Sequence, residues 1–534
     1  MTVQYIVVAV VTALYVLLNF KYDIQMLQQN SYRLDRYWRW LKPNLINAWR
    51  LEDVAMVFLL LATTLLPLVA SSFLVGLLAL VKICLIFKKK YKKPLVFTNR
   101  VKRIYAVTGV LAAGAMIASA LCLWDKSFTN GTYSGIGVTY VIYYLIAIFS
   151  WLPVMLAVVI LSPVEKSINA RYRKEAMDIL RSMPDLTVIG VTGSYGKTST
   201  KHYLNRILSE SFDVLMTPGS YNTPMGVIRT VREMMKPYNR IFICEMGAKQ
   251  KGDIKEICDM VNPKIGIITA VGPMHLESFK SMENVQATKF ELADALPSDG
   301  LAVVNNDFEY CASRNVDNVE CVRYGVADTK GCDLWAEDIR YTPGGTEFTA
   351  KSKDGLELRL FTRLVGECNI SNLLAAIAVA IRLGVPHDKI KYAVGRIEQV
   401  EHRLNMKQTA GGVTIIDDAF NSNPSGARMA VDVLSHFKES GKRIIVTPGM
   451  IELGERQAEL NKELGRHIGK NVDVAIVVGQ YNREALSSGI REGGLPGDAL
   501  HEVGSFAEAQ QLLAGILAKG DTVLYENDLP DTFK

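Results

Sequence analysis

Long apolar runs within residues 1–165 constrain this chain most, because runs of such length need a bilayer or a large core to cover them. Most of these runs are close to the roughly 20 residues that cross a bilayer as a helix. The run 54–87, interrupted only by Lys82, is too long for one span, and we predict a hairpin that turns near Pro67 to Ser72. The other predicted spans are 3–20, 104–124 and 138–161, which gives an α-helical membrane domain of about five spans.

Basic residues beside these runs predict their orientation. The loop 21–53 carries six Lys and Arg, and the loop 88–103 carries eight with no acidic residue. Positive loops stay on the cytoplasmic side, so both should face the cytoplasm. The protein would then be multi-pass in the cytoplasmic membrane, with its N-terminus and the loop 125–137 outside and everything after Leu161 inside. We expect no Asp or Glu within a span, which argues against an ion-coupled transporter.

Charge divides the chain into two unlike parts. Residues 1–175 hold 20 Lys and Arg against 7 Asp and Glu, whereas the remainder holds 40 against 47. Proteins that bind nucleic acid gather basic side chains on a folded face, so the acidic remainder is a poor candidate for one. We therefore expect membrane lipid, and no nucleic acid, among the partners.

Strand-like and helix-like segments alternate after residue 185, which predicts α/β domains with largely parallel sheets. Residues 320–362 differ, because short alternating runs around a Gly-Gly pair at 344–345 predict antiparallel strands. A second αβ unit follows, and we expect it to be Rossmann-like. The predicted parts are a membrane domain (1–165), a basic linker (166–184), a central parallel-sheet domain (185–403) and a C-terminal domain (404–534).

The strongest motif is the segment 192–199 (TGSYGKTS), which follows a strand and opens a helix. Glycines let the backbone wrap phosphate groups, a lysine and the helix N–H groups offset their charge, and a hydroxyl can ligate Mg²⁺. The motif therefore predicts a phosphate-binding loop. Its candidate residues are Gly193, Gly196, Lys197, Thr198 and Ser199.

Two more candidate residues stand just past predicted strands. Glu245 follows the strand 240–244, and His275 follows the strand 265–269. In open α/β sheets ligands bind at the carboxyl ends of the strands, so both residues fall where a site would form. Each is also compatible with an ordinary structural role, and Lys289 taken alone is typical of a helix surface.

Seven motifs occur in one order along the soluble half: TGSYGKTS, EMGA, GPMHLESF, ATKFE, GECNISN, EHRL and DDAFNSNP. This ordered set resembles the Mur ligase family. Within the family it is most similar to the MurF branch, which adds D-alanyl-D-alanine to the UDP-MurNAc-tripeptide. The resemblance covers roughly residues 185–525.

The resemblance implies a role for each matching residue. Catalytic roles would fall to Lys197, His275, Lys289 and Arg403. ATP would be held by the phosphate loop together with Asn369, Asn372, Arg403, Asp418, Asn421 and Asn423. Two Mg²⁺ sites would be formed by Thr198, Glu245, His275 and Lys289, the last as a carbamate, because a carbamate offers the hard oxygens that an ammonium does not.

The implied activity is an ATP-dependent amide ligase of peptidoglycan precursor synthesis that works through an acyl phosphate, and the membrane would be the bacterial cytoplasmic membrane. It would join a muropeptide-like carboxylate to an amino acid or dipeptide. Apolar spans stand where the family has a soluble UDP-binding domain, about 25 residues before the phosphate loop. We therefore expect a lipid-linked carboxylate and nearby cell-envelope enzymes as partners. A tethered UDP-MurNAc-tripeptide ligase and a non-catalytic ATP-binding scaffold are the alternatives.

Overall fold

A computed structural model gives the fold of most of the chain. It describes residues 2–44, 57–58, 61, 68–88, 91, 93–129, 134–274, 276–327, 329–342, 345–399, 404–419, 423–437 and 441–528. These residues form two compact units, which meet in sequence between Ala170 and Arg171.

The first unit is helical where it is described. Its helices are Thr2–Gln29, Leu34–Leu41, Leu68–Lys88, Asn99–Thr129, Ser134–Ile148 and the first part of Trp151–Arg181. In the described part of the chain, three helical stretches are long and apolar enough to cross a membrane: Val7–Gln29, Asn99–Cys122 and Trp151–Arg181. Val138–Ile148 is a shorter apolar helix.

The predicted hairpin turn is wrong where the structure describes it. Leu68–Ser72 already belong to the helix Leu68–Lys88, while Pro67 lies outside the described residues. Residues 68–72 contain no proline, so nothing in this segment removes a helical hydrogen bond.

The segment 138–161, predicted as one span, is divided between two helices at Phe149 and Ser150. Pro153 explains the division, because its ring removes one helical hydrogen bond and clashes with the carbonyl four residues earlier, at Phe149. The Asn19 side chain donates to the Ala147 carbonyl at 2.6 Å and so satisfies an acceptor at the break.

The first helix extends past its predicted end at residue 20 to Gln29 and includes Asp23. The expectation that no Asp or Glu lies within a span is therefore wrong for the apolar stretch Val7–Gln29, which extends beyond the predicted span 3–20. Asp23 is buried, but the Tyr37 hydroxyl donates to it at 2.9 Å and the Ser150 hydroxyl donates to its other oxygen. Buried carboxylates require such partners, and local sequence does not reveal partners that lie 14 and 127 residues away.

An ionic contact joins the helices Asn99–Thr129 and Trp151–Arg181. Glu165 is buried, with the Arg103 guanidinium at 2.7 Å and that of Arg100 at 3.7 Å. The Arg100 guanidinium also lies 4.2 Å from the centre of the Tyr32 ring. Part of the basic loop 88–103 is therefore used to hold helices together.

The second unit contains two sheets. The larger has nine strands in the order β2-β3-β1-β4-β5-β6-β7-β8-β9. These strands are β1 Thr187–Thr192, β2 Val214–Met216, β3 Ile241–Glu245, β4 Ile265–Ile268, β5 Leu301–Asn305, β6 Glu320–Gly325, β7 Leu334–Thr342, β8 Gly345–Ser352 and β9 Glu357–Thr362. From β2 to β7 every pairing is parallel, and β7, β8 and β9 pair antiparallel. The antiparallel prediction is thus confirmed for β7–β9 and wrong for β6, which pairs parallel with both neighbours.

The smaller sheet has six strands in the order β10-β11-β15-β12-β13-β14. Its strands are β10 Asn405–Gln408, β11 Thr414–Asp418, β12 Arg443–Thr447, β13 Val474–Val478, β14 Leu500–Val503 and β15 Thr522–Glu526. Only the pairing of β10 with β11 is antiparallel. The predicted α/β character of both parts is therefore confirmed.

Helices cover the two sheets, as parallel strands require. Around the larger sheet they are Lys197–Leu208, Pro224–Met234, Asp253–Val261, Leu276–Phe279, Met282–Asp294, Glu309–Ala312, Glu367–Arg382 and His387–Val394. Around the smaller sheet they are Pro424–Ser435, Gln457–Asn471, Arg483–Glu492 and Phe506–Ile516, with single 3₁₀ turns at Gly454–Arg456 and Gly497–Ala499. Residues 166–181 of the predicted linker are helical, and Ala176 is buried in a core shared with β1 and β3.

Candidate active site

The predicted phosphate-binding loop joins β1 to the helix Lys197–Leu208 at the carboxyl edge of the larger sheet. Gly196 begins this helix with a φ of +77°, and a Cβ there would lie 2.3 Å from the Asn372 side-chain oxygen. At Gly193 a Cβ would lie 2.1 Å from the Thr269 hydroxyl. Only glycine fits these two positions, because the loop is pressed against its neighbours while its N–H groups line the start of a helix.

Lys197 lies over this loop. Its ammonium donates to the carbonyl oxygens of Gly193 at 2.7 Å and Ser194 at 3.2 Å. Thr269, just past β4, also holds the loop. Its hydroxyl donates to the Thr192 carbonyl at 3.1 Å and to the Tyr195 carbonyl. The loop is thus fixed on two sides, with a positive charge at its centre. Ser199, also predicted to bind phosphate, is buried in the first turn of the helix.

Glu245, the last residue of β3, is buried in a polar cluster beside this loop. The Thr198 hydroxyl lies 3.1 Å from each of its carboxylate oxygens. The Asn222 amide donates to it at 3.2 Å, and the Lys201 ammonium lies 2.9 Å away. Parallel pairing of β1 with β3 brings Thr198 and Glu245 together, since both lie at the carboxyl ends of neighbouring strands.

The charge state of Glu245 follows from these partners. Burial acts to raise the pKa of its carboxyl group, but the Lys201 and Lys197 ammoniums and the hydrogen bonds from Lys201 and Asn222 outweigh burial and hold the pKa below its ordinary value. Glu245 is therefore an ionised carboxylate at neutral pH.

Lys289, on the helix Met282–Asp294, is 2% exposed. Burial, together with the positive charge of Lys197, lowers the pKa of Lys289 from 10.5 to about 7, although Asp253 and Glu291 act in the opposite direction. Its ammonium lies 5.9 Å from the centre of the Phe279 ring. The Lys197 charge also acts on Glu245, so one lysine shifts the pKa of both groups.

Asn369 and Asn372, on the buried helix Glu367–Arg382, differ in what they contact. Asn369 accepts a hydrogen bond from the Tyr203 hydroxyl at 2.7 Å and donates to the Val365 carbonyl at 2.8 Å. The Asn372 oxygen accepts from the Thr200 hydroxyl at 3.1 Å and lies against Gly196. Asn372 therefore borders the phosphate loop, whereas Asn369 ties two helices together.

The predicted residues of the C-terminal part are only partly described. Asp418 ends β11 and accepts from the Leu404 backbone N–H at 3.2 Å. Asn423 caps the helix Pro424–Ser435 by accepting from the Gly426 N–H at 2.8 Å. His275, Arg403 and Asn421 lie outside the described residues.

The donors near the phosphate loop fit Mg²⁺. Thr198 and Glu245 offer a hydroxyl and a carboxylate, the hard oxygen ligands that this ion prefers. Across the described segments of the chain, no three His, Cys, Asp or Glu side chains gather into a metal-binding group. Such a sparse protein shell suits an ion that keeps several water ligands and binds substrate phosphates.

Sequence reasoning missed two members of the Glu245 cluster. Asn222 follows β2, and the rule that selected Glu245 would have selected it had this three-residue strand been recognised. Lys201 gave no such signal, because a lysine four residues after Lys197 resembles an ordinary surface residue of a helix. Its side chain is fully buried.

Comparison with known proteins agrees with this arrangement. Residues 191–380 match the family model of the Mur ligase middle domain, and residues 402–525 match that of the Mur ligase glutamate ligase domain. The chain is 30% identical over 344 residues to the UDP-N-acetylmuramoyl-tripeptide–D-alanyl-D-alanine ligase of Bacillus subtilis, covering 64% of this chain and 72% of that protein. The Escherichia coli ligase of the same name is also 30% identical, with 64% and 75% covered.

Solved structures show the same fold. The MurF ligase of Thermotoga maritima in complex with ADP superposes with a TM-score of 0.60 at 27% identity, covering 67% of this chain and 80% of that one. MurF from Acinetobacter baumannii gives a TM-score of 0.60 at 26% identity, covering 67% and 77%. With both Mur ligase domains matched in order over more than half of its length, this chain belongs to the Mur ligase family and is an ATP-dependent ligase that forms carbon–nitrogen bonds.

Proposed function

We propose that the protein is a membrane-bound, MurF-like ligase of peptidoglycan precursor synthesis whose carboxylate substrate is carried on a membrane lipid. The observation that carries the ligase assignment is the grouping of Lys197, Thr198 and Glu245 at the carboxyl edge of the larger sheet. The apolar helices of the first unit support the membrane assignment. The similarity to D-alanyl-D-alanine ligases supports an amino acid or dipeptide as the second substrate.

The proposed reaction has two steps. A substrate carboxylate oxygen attacks the γ-phosphorus of ATP, forming an acyl phosphate and releasing ADP. The amine nitrogen of the second substrate then attacks the acyl carbon, the tetrahedral intermediate expels phosphate, and the ammonium proton is lost to solvent. Such chemistry depends on positioning and on stabilising charge more than on covalent help from the protein.

The residues would divide this work. Lys197 and the N–H groups of the loop 193–197 would stabilise charge that builds on the β- and γ-phosphates. Thr198 and Glu245 would hold one Mg²⁺, which supplies further charge stabilisation when bound. Asn372 would border the nucleotide, and Asp418 and Asn423 would approach it from the C-terminal part. His275, Arg403, Asn421 and Ser199 complete the set proposed from the family resemblance. Asn369, to which the resemblance also gives nucleotide binding, instead joins two helices through the Tyr203 hydroxyl.

Lys289 is proposed to act as a carbamate at a second Mg²⁺ site. Carbamylation joins the neutral amine to CO₂ and releases one proton, leaving a carboxylate-like anion. A pKa of about 7 makes the neutral amine available at physiological pH. Burial beside Lys197 also favours an anion over a second ammonium, since like charges repel in a poorly solvated site.

The proposed topology has about five spans, an external N-terminus and a cytoplasmic ligase part. Three apolar helices and the basic residues before Asn99 support it. In this proposal residues 1–165 form the membrane domain, 166–184 the linker, 185–403 the central domain and 404–534 the C-terminal domain. Nucleic acid has no place in this proposal, whereas membrane lipid and other cell-envelope enzymes do.

Phosphate release tests the proposal. The full chain in detergent receives ATP, Mg²⁺ and D-alanyl-D-alanine with either UDP-MurNAc-tripeptide or its undecaprenyl-linked counterpart. Release should require both acid and amine, and the lipid-linked acid should be the better substrate. Release without either substrate would indicate an ATPase, and no release with any pair would favour the scaffold alternative.

The second candidate is a ligase that uses soluble UDP-MurNAc-tripeptide and is merely tethered to the membrane. The named substrate of its relatives favours it. Equal or better turnover of the soluble acid, at matched concentration and in the same detergent, would select this candidate over the lipid-linked one.

A further inference from the structure

The Glu245 cluster contains a lysine that the proposed reaction does not use. Lys201 lies on the buried side of the helix Lys197–Leu208, and its side chain is fully inaccessible to solvent. Its ammonium contacts two groups, the Glu245 carboxylate at 2.9 Å and the Gly219 carbonyl at 2.5 Å. Gly219 belongs to the turn after β2, which also carries Asn222. Lys201 thus joins three segments of the site.

This contact changes what Glu245 can do before a nucleotide arrives. The carboxylate carries one negative charge, and the ammonium at 2.9 Å neutralises it. Lys197, whose charge also acts on Glu245, adds a second positive group. Because a cation approaching this cluster meets two positive charges and only one negative charge, the protein alone offers little attraction for Mg²⁺.

We propose that Lys201 keeps the Glu245 site from binding Mg²⁺ on its own, so that the ion enters only with nucleotide phosphates. The phosphates of ATP or ADP would supply the missing negative charge, and Lys197 would turn toward them. Lys201 would act through Glu245 and is therefore a positioning residue. This inference rests on the proposed assignment of Glu245 as a Mg²⁺ ligand.

A purely structural role for Lys201 predicts the opposite result from ours. If the ammonium only held Glu245 in place, its removal would weaken Mg²⁺ binding. If the ammonium competes with Mg²⁺ for Glu245, its removal should strengthen Mg²⁺ binding. A positive unit charge within a few ångströms of a divalent cation lowers the affinity for that cation more than tenfold, even at an effective dielectric constant of about 20. The direction of the change separates the two roles.

Isothermal titration calorimetry with Mg²⁺ alone measures this on the full chain in detergent. The wild type should bind Mg²⁺ weakly without nucleotide and at least tenfold more tightly with ADP. Lys201→Met should bind Mg²⁺ at least tenfold more tightly than the wild type without nucleotide, and adding Glu245→Gln should abolish the gain. Lys255→Met is the matched control, because it removes an exposed ammonium paired with Asp259 and should behave as the wild type.

Other outcomes are equally informative. Weaker binding by a folded Lys201→Met variant, or unchanged binding, would overturn the inference while leaving the proposed function intact. Lys201→Gln, which keeps a donor for the Gly219 carbonyl, should show the same gain if the methionine variant does not fold. Tight Mg²⁺ binding by the nucleotide-free wild type, lost in Glu245→Gln, would also overturn it. Absence of Mg²⁺ binding even with ADP would instead contradict the proposed metal site.

Discussion

Lys289 offers the sharpest test of the site. A lysine with a pKa of 10.5 is about 0.03% neutral at pH 7, whereas a pKa of about 7 leaves about half of the amine neutral. The buried position therefore raises the reactive fraction roughly a thousandfold. Only the neutral amine reacts with CO₂, so Lys289 should carbamylate far more readily than other lysines of the chain. Lys289→Ala should lower ligase turnover at least a hundredfold.

Carbon-13 NMR with labelled CO₂ measures the carbamate directly. The full chain with ADP and Mg²⁺ should show one carbamate signal that grows from pH 6 to pH 8 at constant CO₂ pressure, because rising pH both frees the amine and favours proton loss. The signal should vanish in Lys289→Ala, and acetate should restore part of the lost activity by supplying a carboxylate.

Lys351 provides the matched control. It is a half-buried lysine whose hydrogen bond and ion pair with Glu337, at 2.8 Å, raise its pKa. Lys351→Ala should therefore keep both the signal and the activity. A carbamate signal that survives Lys289→Ala, or full activity of the wild type after thorough CO₂ removal, would refute the reasoning.

Three further predictions concern the loop, the first unit and the topology. Lys197→Ala should abolish ATP-dependent turnover while the variant melts near the wild-type temperature, since its ammonium serves the loop surface rather than the core; near-normal amide formation would disprove the phosphate-loop assignment. Arg103→Leu should lower the free energy of unfolding by about 1–3 kcal/mol, and with it the melting temperature in detergent, because buried Glu165 loses its nearest partner. An unchanged melting temperature would show that Arg100 alone is a sufficient partner for Glu165. Single cysteines should be labelled by an impermeant reagent in the loop 125–137 and protected in 88–103 and after residue 165; the reverse pattern would exclude the proposed orientation.

Much of the α/β architecture could be predicted from apolar runs alone. The strands predicted at 240–244 and 265–269 are observed as Ile241–Glu245 and Ile265–Ile268, because central parallel strands are apolar on both faces. Three strands were missed: β2, β10 and β14. They are only three or four residues long, which is too short for an apolar run to indicate a strand. The parallel pairing of β6 was likewise hidden, since pairing direction depends on the connection rather than on the strand itself.

The active site was predictable where chemistry follows local sequence and hidden where it depends on packing. The predicted phosphate loop follows β1 and Glu245 ends β3, and the parallel pairing of these strands puts both at one sheet edge, as the sequence predicts. The burial of Lys201, Lys289 and Asp23 could not be read from sequence. Lys201 and Asp23 are stabilised by partners distant in sequence, and Lys289 has a pKa lowered to about 7. Buried ionisable residues therefore indicate where the fold provides compensating groups, because burying a charge without such groups lowers the stability of the protein.

The two asparagines of the GECNISN motif permit a final prediction, because the resemblance gives them one role and the structure gives them two. Asn369 uses its amide to satisfy the buried Tyr203 hydroxyl and the Val365 carbonyl. Asn369→Ala should therefore cost about 1–3 kcal/mol of stability and leave the KM for ATP of the folded enzyme within about twofold. Asn372 lies against Gly196 at the phosphate loop, so Asn372→Ala should raise that KM at least tenfold with a smaller loss of stability. Thermal melting and ATP titration of both variants check this, and equal KM increases without destabilisation would return both residues to nucleotide binding.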